Sequence, residues 1–287
     1  MPLTEQAMIF ECRQATMLGV LSLPTTPAYA AVIVVVGGPQ YRAGSHRQFV
    51  QLARALAEAG VAALRFDVRG MGDSDGDLRQ FEQLDDDIHA AVGALRTRLP
   101  ELKHVVLWGL CDGAAAALLY LQSHPGADIQ GICLVNPWVR SPLSRARTQI
   151  KHYYLHRLVE PEFWRKLVRG RVGWVALAGL LGDIRKALTV GLTPAAASTE
   201  RRSFQDRMVA GLAQFPGDVL LIMSGSDFTA QEFDQFTRAS VAWQQALGSP
   251  RVTRHTLAHA NHTFSEAIQR QAAELITSSW LQSTFLR

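Results

Sequence analysis

A series of short apolar runs without apolar–polar alternation constrains this chain more than any other feature. Ala31-Val32-Ile33-Val34-Val35-Val36 is the clearest of them. A β-branched run without alternation is expected of a strand buried on both faces, as inside a parallel sheet. Residues 61–66, 105–108, 129–135, 219–223 and 251–257 continue the series, after a weaker opening hairpin at 8–12 and 16–23. Between the runs lie segments of helical spacing. Residues 46–59 place Phe49, Leu52, Ala53 and Leu56 on one face and stop at Gly60. Residues 81–99, 235–247 and a closing segment from 266 also read as helices. Strands alternating with helices predict an α/β fold, a mostly parallel twisted sheet flanked by helices.

In such a sheet, reactive groups gather beyond the carboxyl ends of the strands. Three stretches fall there. After residues 105–108 comes Gly109-Leu110-Cys111-Asp112-Gly113, followed by an alanine-rich helical run. This is strand, five-residue turn, helix, in the pattern G-x-nucleophile-x-G, with cysteine where serine is usual. The flanking glycines permit a strained turn that projects the central side chain. A thiolate, unlike a serine alkoxide, forms substantially near neutral pH. The start of the following helix favours it further. After residues 219–223 comes Asp227, and after 251–257 comes His262.

The order nucleophile, acid, histidine is that of α/β-hydrolases. On this reading Cys111 attacks an acyl carbon, His262 takes the thiol proton and returns it to the leaving group, and Asp227 orients the imidazole. Each residue also has a plainer reading. A buried cysteine is often only a small apolar side chain. Asp227 opens a helical segment and could simply cap it. His259 competes with His262, and His255 lies on the strand. The three residue types together, at three strand ends in this order, favour the catalytic reading. The oxyanion donors are then the backbone N–H of Asp112 and one from the turn after residue 36. Pro39 has no N–H, so Gly38 is preferred and Gln40 is the second choice.

Other motifs read more plainly. Gly70-Met71-Gly72-Asp73-Ser74 lacks the lysine of a phosphate-binding loop and reads as a tight turn. Asp85-Asp86-Asp87 suits a helix's first turn better than a metal site. Three cysteines, Cys12, Cys111 and Cys133, show no metal-binding spacing. No metal and no cofactor is expected.

More than eighty residues separate the strand ending at Val135 from the one starting at Val219, far beyond a simple crossover. Residues 1–137 and 216–287 are therefore expected to form the core, and 138–215 a helical cap. Residues 138–215 carry 14 Lys and Arg against 5 Asp and Glu, a net of +9, while the rest of the chain carries −5. The cap is also rich in aromatic residues, including Trp138, Tyr153 and Tyr154. These three, with His46 and Arg47 beside the oxyanion turn, are candidate substrate contacts. A basic, aromatic cap suits an anionic or carrier-bound acyl substrate first. A peripheral contact with an anionic membrane comes second. Nucleic acid comes last, given the acidic core and the lack of a nucleic-acid motif.

Several stretches resemble the exosortase A system-associated hydrolase 1 family. They are Val36-Gly37-Gly38-Pro39-Gln40-Tyr41-Arg42-Ala43-Gly44-Ser45-His46-Arg47, residues 65–74, Leu134-Val135-Asn136-Pro137-Trp138-Val139-Arg140, Lys151-His152-Tyr153-Tyr154 and Ala260-Asn261-His262-Thr263-Phe264. The cysteine elbow is also similar to that of dienelactone hydrolases, though their likeness does not extend to the basic insertion. The closer resemblance covers most of the chain. It implies an α/β-hydrolase encoded among genes for exopolysaccharide production and carboxy-terminal protein sorting in Gram-negative bacteria, and it implies no substrate.

The sequence therefore leads to an esterase or thioesterase working through an acyl-cysteine. An acyltransferase to a sugar or other alcohol is one alternative, and a non-catalytic binding protein using the basic cap is another. Few cysteines and no apolar leader lead to an expectation of a cytoplasmic protein.

Overall fold

Strands whose two faces are both apolar end up inside the sheet, and here that is visible residue by residue. In β3 (Ala30–Val35), Ala31, Ile33 and Val35 join one apolar cluster while Ala30, Val32 and Val34 join the other, on the opposite face. β5 (His104–Leu110) divides likewise, with Val105 and Leu107 on the first face and Val106, Trp108 and Leu110 on the second. The computed structural model describes residues 3–38, 40–140 and 202–286. Among these, eight strands form one sheet in the order β1-β2-β4-β3-β5-β6-β7-β8.

β1 (Thr4–Cys12) and β2 (Ala15–Leu23) form an antiparallel hairpin, and β2 lies antiparallel to β4 (Ala62–Phe66). From β4 through β3, β5, β6 (Gly131–Val135), β7 (Asp218–Ser224) and β8 (Val252–Leu257), every pairing is parallel. The hairpin is tied to β4 by Glu5, which accepts from Arg65 and Arg54. The hydrogen bond from Arg54, with help from Arg65, lowers the Glu5 pKa to about 2.

The helices are α1 (Gln48–Glu58), α2 (Asp85–Arg98), α3 (Asp112–Ser123), α4 (Phe204–Gln214), α5 (Phe228–Arg238), α6 (Val241–Leu247) and α7 (Ala267–Phe285). Two expectations change. The helix read over 235–247 is two helices that break at Ala239 and Ser240. The break folds the chain back, so that Trp243 is fully buried edge-on against Phe233 and Phe236. His46 and Arg47, read as the start of a helix, lie in a tight turn with positive φ, and α1 starts after them.

Contacts divide the chain into two units, Met1–Val139 with Arg202–Arg287, and Arg140–Arg201. The sequence boundary at 215 put α4 in the cap. Instead α4 packs on α3. Met208 and Leu212 are buried in the main core, Phe204 meets the Phe81 ring edge-on, and Arg207 donates to Gln122. The gap between strands assigned this helix to the cap, because strand positions alone do not show that the apolar face of α4 turns to α3. Tyr153, Tyr154 and the helices expected in the insertion lie outside the described residues.

The Asp85–Asp87 run does more than complement a helix start. Asp87 is buried and receives a forked pair of bonds from Arg69, and Asp86 pairs with Arg13 in the hairpin turn.

Candidate active site

The elbow is a backbone construction. Cys111 sits between β5 and α3 with φ 59° and ψ −121°, a strained conformation for a residue with a side chain. Its N–H donates to Val135 O, and its C=O accepts from Ala114 and Ala115. The two glycines make the turn possible. A Cβ on Gly113 would collide with Val35 O, and one on Gly109 with the backbone of Gly113 and Ala114. The turn is thereby pressed onto the end of β3, one strand away. Cys111 is partly exposed, whereas Cys12 and Cys133 are buried, and none of the three is in a disulfide.

Asp227 and His262 come together. The His262 Nδ1–H lies 2.8 Å from Asp227 Oδ2, and the aspartate is buried. Its other oxygen, Oδ1, accepts the N–H of Thr229 at 3.0 Å and caps α5. The capping and catalytic readings of Asp227 therefore describe the same carboxylate, one oxygen each. With Nδ1 given to Asp227, Nε2 is the ring nitrogen left for another partner. His259 and His255, the competitors, are exposed. The Asp227 loop is braced by a buried pair. Asn136, just past β6, donates to Ser224 Oγ and accepts from Ser224 N, and Asn136 itself has φ 45°.

The turn after β3 is held by residues that spacing did not single out. The Arg42 guanidinium pairs with Asp67 and with Asp73, and the Arg42 N–H donates to Asp67 Oδ1 at 2.6 Å. Asp67 is fully buried and also accepts from Asp73 N, while its C=O accepts from Ser74 Oγ. The tight turn read at 70–74 is thus organised around one carboxylate that also anchors the loop after β3. Asp67 stands just beyond a strand, as Asp227 does, and that placement was the available signal.

Of the expected oxyanion donors, Asp112 opens α3 just after Cys111, and Gly38 lies in the turn after β3. Gly38 has φ 63°. Asp112 brings its own carboxylate to this spot. A Cβ on Gly37 would strike Asp112 Oδ1, and one on Gly38 would stand 3.6 Å from Oδ2. Burial raises the Asp112 carboxyl above its ordinary range, against the backbone amides of Gly38, Asp112 and Gly113 and the charge of His262. The other oxyanion candidate, Gln40, is half-buried, and its Oε1 accepts from Ser45 N at 3.3 Å. Of the candidate substrate contacts, His46 and Arg47 are exposed. Trp138 packs against the main core and its backbone N–H donates to Cys111 O at 3.1 Å.

Residues 27–266, from before β3 to the start of the closing helix, match the Hydrolase_4 family, described as serine aminopeptidase, S33. The chain belongs to that family. It is an α/β-hydrolase, although the family is described by a serine and this member carries Cys111 at its elbow. The hydrolase is 28% identical over 94 residues to the AB hydrolase superfamily protein YisY of Bacillus subtilis (strain 168). That match covers 32% of this chain and 33% of YisY, so the chain spans about a third of the curated relative's length. Its fold is similar to that of the esterase Pf2001 of Pyrococcus furiosus, with TM-score 0.63, 16% identity, and 98% of this chain and 93% of the other covered. A dienelactone hydrolase of Anabaena variabilis ATCC 29413 gives TM-score 0.61 at 16% identity, covering 98% of each chain. Est1E of Butyrivibrio proteoclasticus with ferulic acid bound gives TM-score 0.63 at 15% identity, covering 98% of this chain and 100% of the other. At these identities the structural likeness speaks for the fold. Among the described residues, no helix is long and apolar enough to cross a membrane, and no group of three or more His, Cys, Asp and Glu is placed to hold a metal ion.

Proposed function

We propose that this hydrolase cleaves an ester or thioester through an acyl-cysteine on Cys111. The observation that carries the reading is the 2.8 Å pair between His262 Nδ1 and Asp227 Oδ2, formed by residues past β8 and β7, in a chain whose elbow nucleophile is a cysteine. Asp227 fixes the tautomer that leaves Nε2 as the base. His262 takes the thiol proton, sulfur adds to the acyl carbon, and the carbonyl electrons move onto oxygen. As the tetrahedral intermediate collapses, the bond to the alcohol or thiol breaks and His262 protonates the leaving group. Water, deprotonated by the same imidazole, then attacks the thioester, releases the acid and restores the thiol.

The resemblance to the exosortase A system-associated hydrolase 1 family supports a substrate from the setting of exopolysaccharide production and protein sorting, and a cytoplasmic site of action. The excess of basic residues in the insertion supports an anionic or carrier-bound acyl compound. The proteins of similar fold include an esterase of Pyrococcus furiosus, which favours an ester over other acyl groups.

The test is mass spectrometry of the enzyme during turnover of p-nitrophenyl esters and acyl-CoA thioesters of graded length. An acyl adduct on Cys111 is expected, with turnover abolished in Cys111→Ala. Full activity in Cys111→Ala, with no adduct from any substrate, overturns the proposal.

A further inference from the structure

The oxyanion cradle already holds an anion, and the chain supplies it. The amides expected to meet a developing oxyanion belong to Asp112 and Gly38, and the Asp112 carboxylate lies against both. Gly37 has room for a hydrogen only, because Asp112 Oδ1 fills the space a Cβ would need, and Asp112 Oδ2 is 3.6 Å from the corresponding point on Gly38. The amide nitrogen of Gly113, in the first turn of α3, borders the same space, 2.3 Å from the point where Gly37 would carry a Cβ. A substrate carbonyl polarised at this place would meet a group carrying the charge it is about to develop.

We propose that Asp112 is the resident ligand of the oxyanion cradle, and that its side chain must turn away before Cys111 is acylated. The inference rests on the reading of Cys111 as nucleophile. It makes Asp112 a gating residue, which acts by occupying donors and takes no part in bond making. A protein that spends most of its time with the cradle filled reacts at a rate reduced by that fraction, so emptying the cradle speeds acylation. The ordinary alternative is that Asp112 merely complements the positive end of α3. Its removal would then lower stability and leave the acylation rate where it was.

The experiment compares wild type, Asp112→Ala and Asp112→Asn. The first readout is the acylation rate of Cys111 by p-nitrophenyl acetate. An increase of about tenfold is expected in Asp112→Ala, with Asp112→Asn, which keeps the shape and loses the charge, in between. The second readout needs no esterase activity. Sodium acetate at tens of millimolar, by entering the emptied cradle, is expected to slow alkylation of Cys111 by iodoacetamide in Asp112→Ala and to have no effect on wild type. Acylation that is unchanged or slower in both variants, together with alkylation indifferent to acetate in all three proteins, overturns the proposal. If no ester acylates any of the three, the nucleophile reading fails, and the acetate effect on alkylation still decides whether Asp112 fills the cradle. Asp112→Asn serves if Asp112→Ala does not fold.

Discussion

Asp227 divides one carboxylate between two tasks, and its variants separate them. Asp227→Asn keeps an oxygen to cap α5 but presents a neutral amide to His262. Ester turnover is expected to fall by about a hundredfold or more, with stability in urea nearly unchanged. Asp227→Ala removes the cap as well and should lose about a further 1 kcal/mol in the same unfolding measurement. Glu5 offers a residue-level test of the hairpin. Its pKa, lowered to about 2 chiefly by the Arg54 hydrogen bond, lies below that of the unfolded chain, so its contribution is present above the ordinary carboxylate range and is lost as the pH falls towards 2. Glu5→Gln should cost about 1–2 kcal/mol at pH 7, allowing for solvent screening of a partly exposed pair. The gap to wild type should close between about pH 4.5 and pH 2 in a denaturation series.

Among the elements, the elbow depends on contact with its neighbour. Gly113→Ala drives a Cβ into the backbone oxygen of Val35, which no side-chain adjustment relieves. The variant is expected to lose about 3 kcal/mol or more, read from its denaturation midpoint, and to lose iodoacetamide selectivity for Cys111 along with its shape. The strands of this region were legible because burial on both faces removes alternation, and β3 and β5 show that pattern. The ends of helices were less legible. Nothing local in residues 235–247 announces that Trp243 will be drawn back onto Phe233, and the His46–Arg47 turn is held by the loop it belongs to. Cys111, Asp227 and His262 could be read from residue type and place in the strand order. The bond between Arg42 and Asp67 and the lodging of the Asp112 carboxylate depend on chain segments far apart in sequence. The pentapeptide reading also used only the backbone of Asp112, not its side chain.

For the molecule as a whole, the boundary at residues 139 and 202 is testable. Gln205 donates to Val139 O at 3.0 Å, so the two ends of the first unit lie close enough for a short Gly-Ser linker to join them. Replacing residues 140–201 with such a linker should leave a cooperatively folding protein in which His262→Ala slows alkylation of Cys111 about tenfold or more. If the insertion selects substrate, as proposed, p-nitrophenyl acetate turnover should persist while turnover of long or anionic acyl substrates falls. A linker variant that does not fold would show that the sheet needs the insertion.

The site also spans strands of unequal security. β5, which delivers Cys111, has a partner strand on each side, whereas β8, which leads to His262, is the edge strand among the described residues, and its residues 253–256 are exposed. Edges open at lower free energy than sheet centres. On warming, the imidazole should therefore leave its post while the thiol remains in place. Amide hydrogen exchange should be fast along β8 and slow along β5, and turnover should disappear several degrees below the melting of the sheet and return on cooling. The working temperature of this enzyme would then be set by its outermost strand and not by the stability of its core.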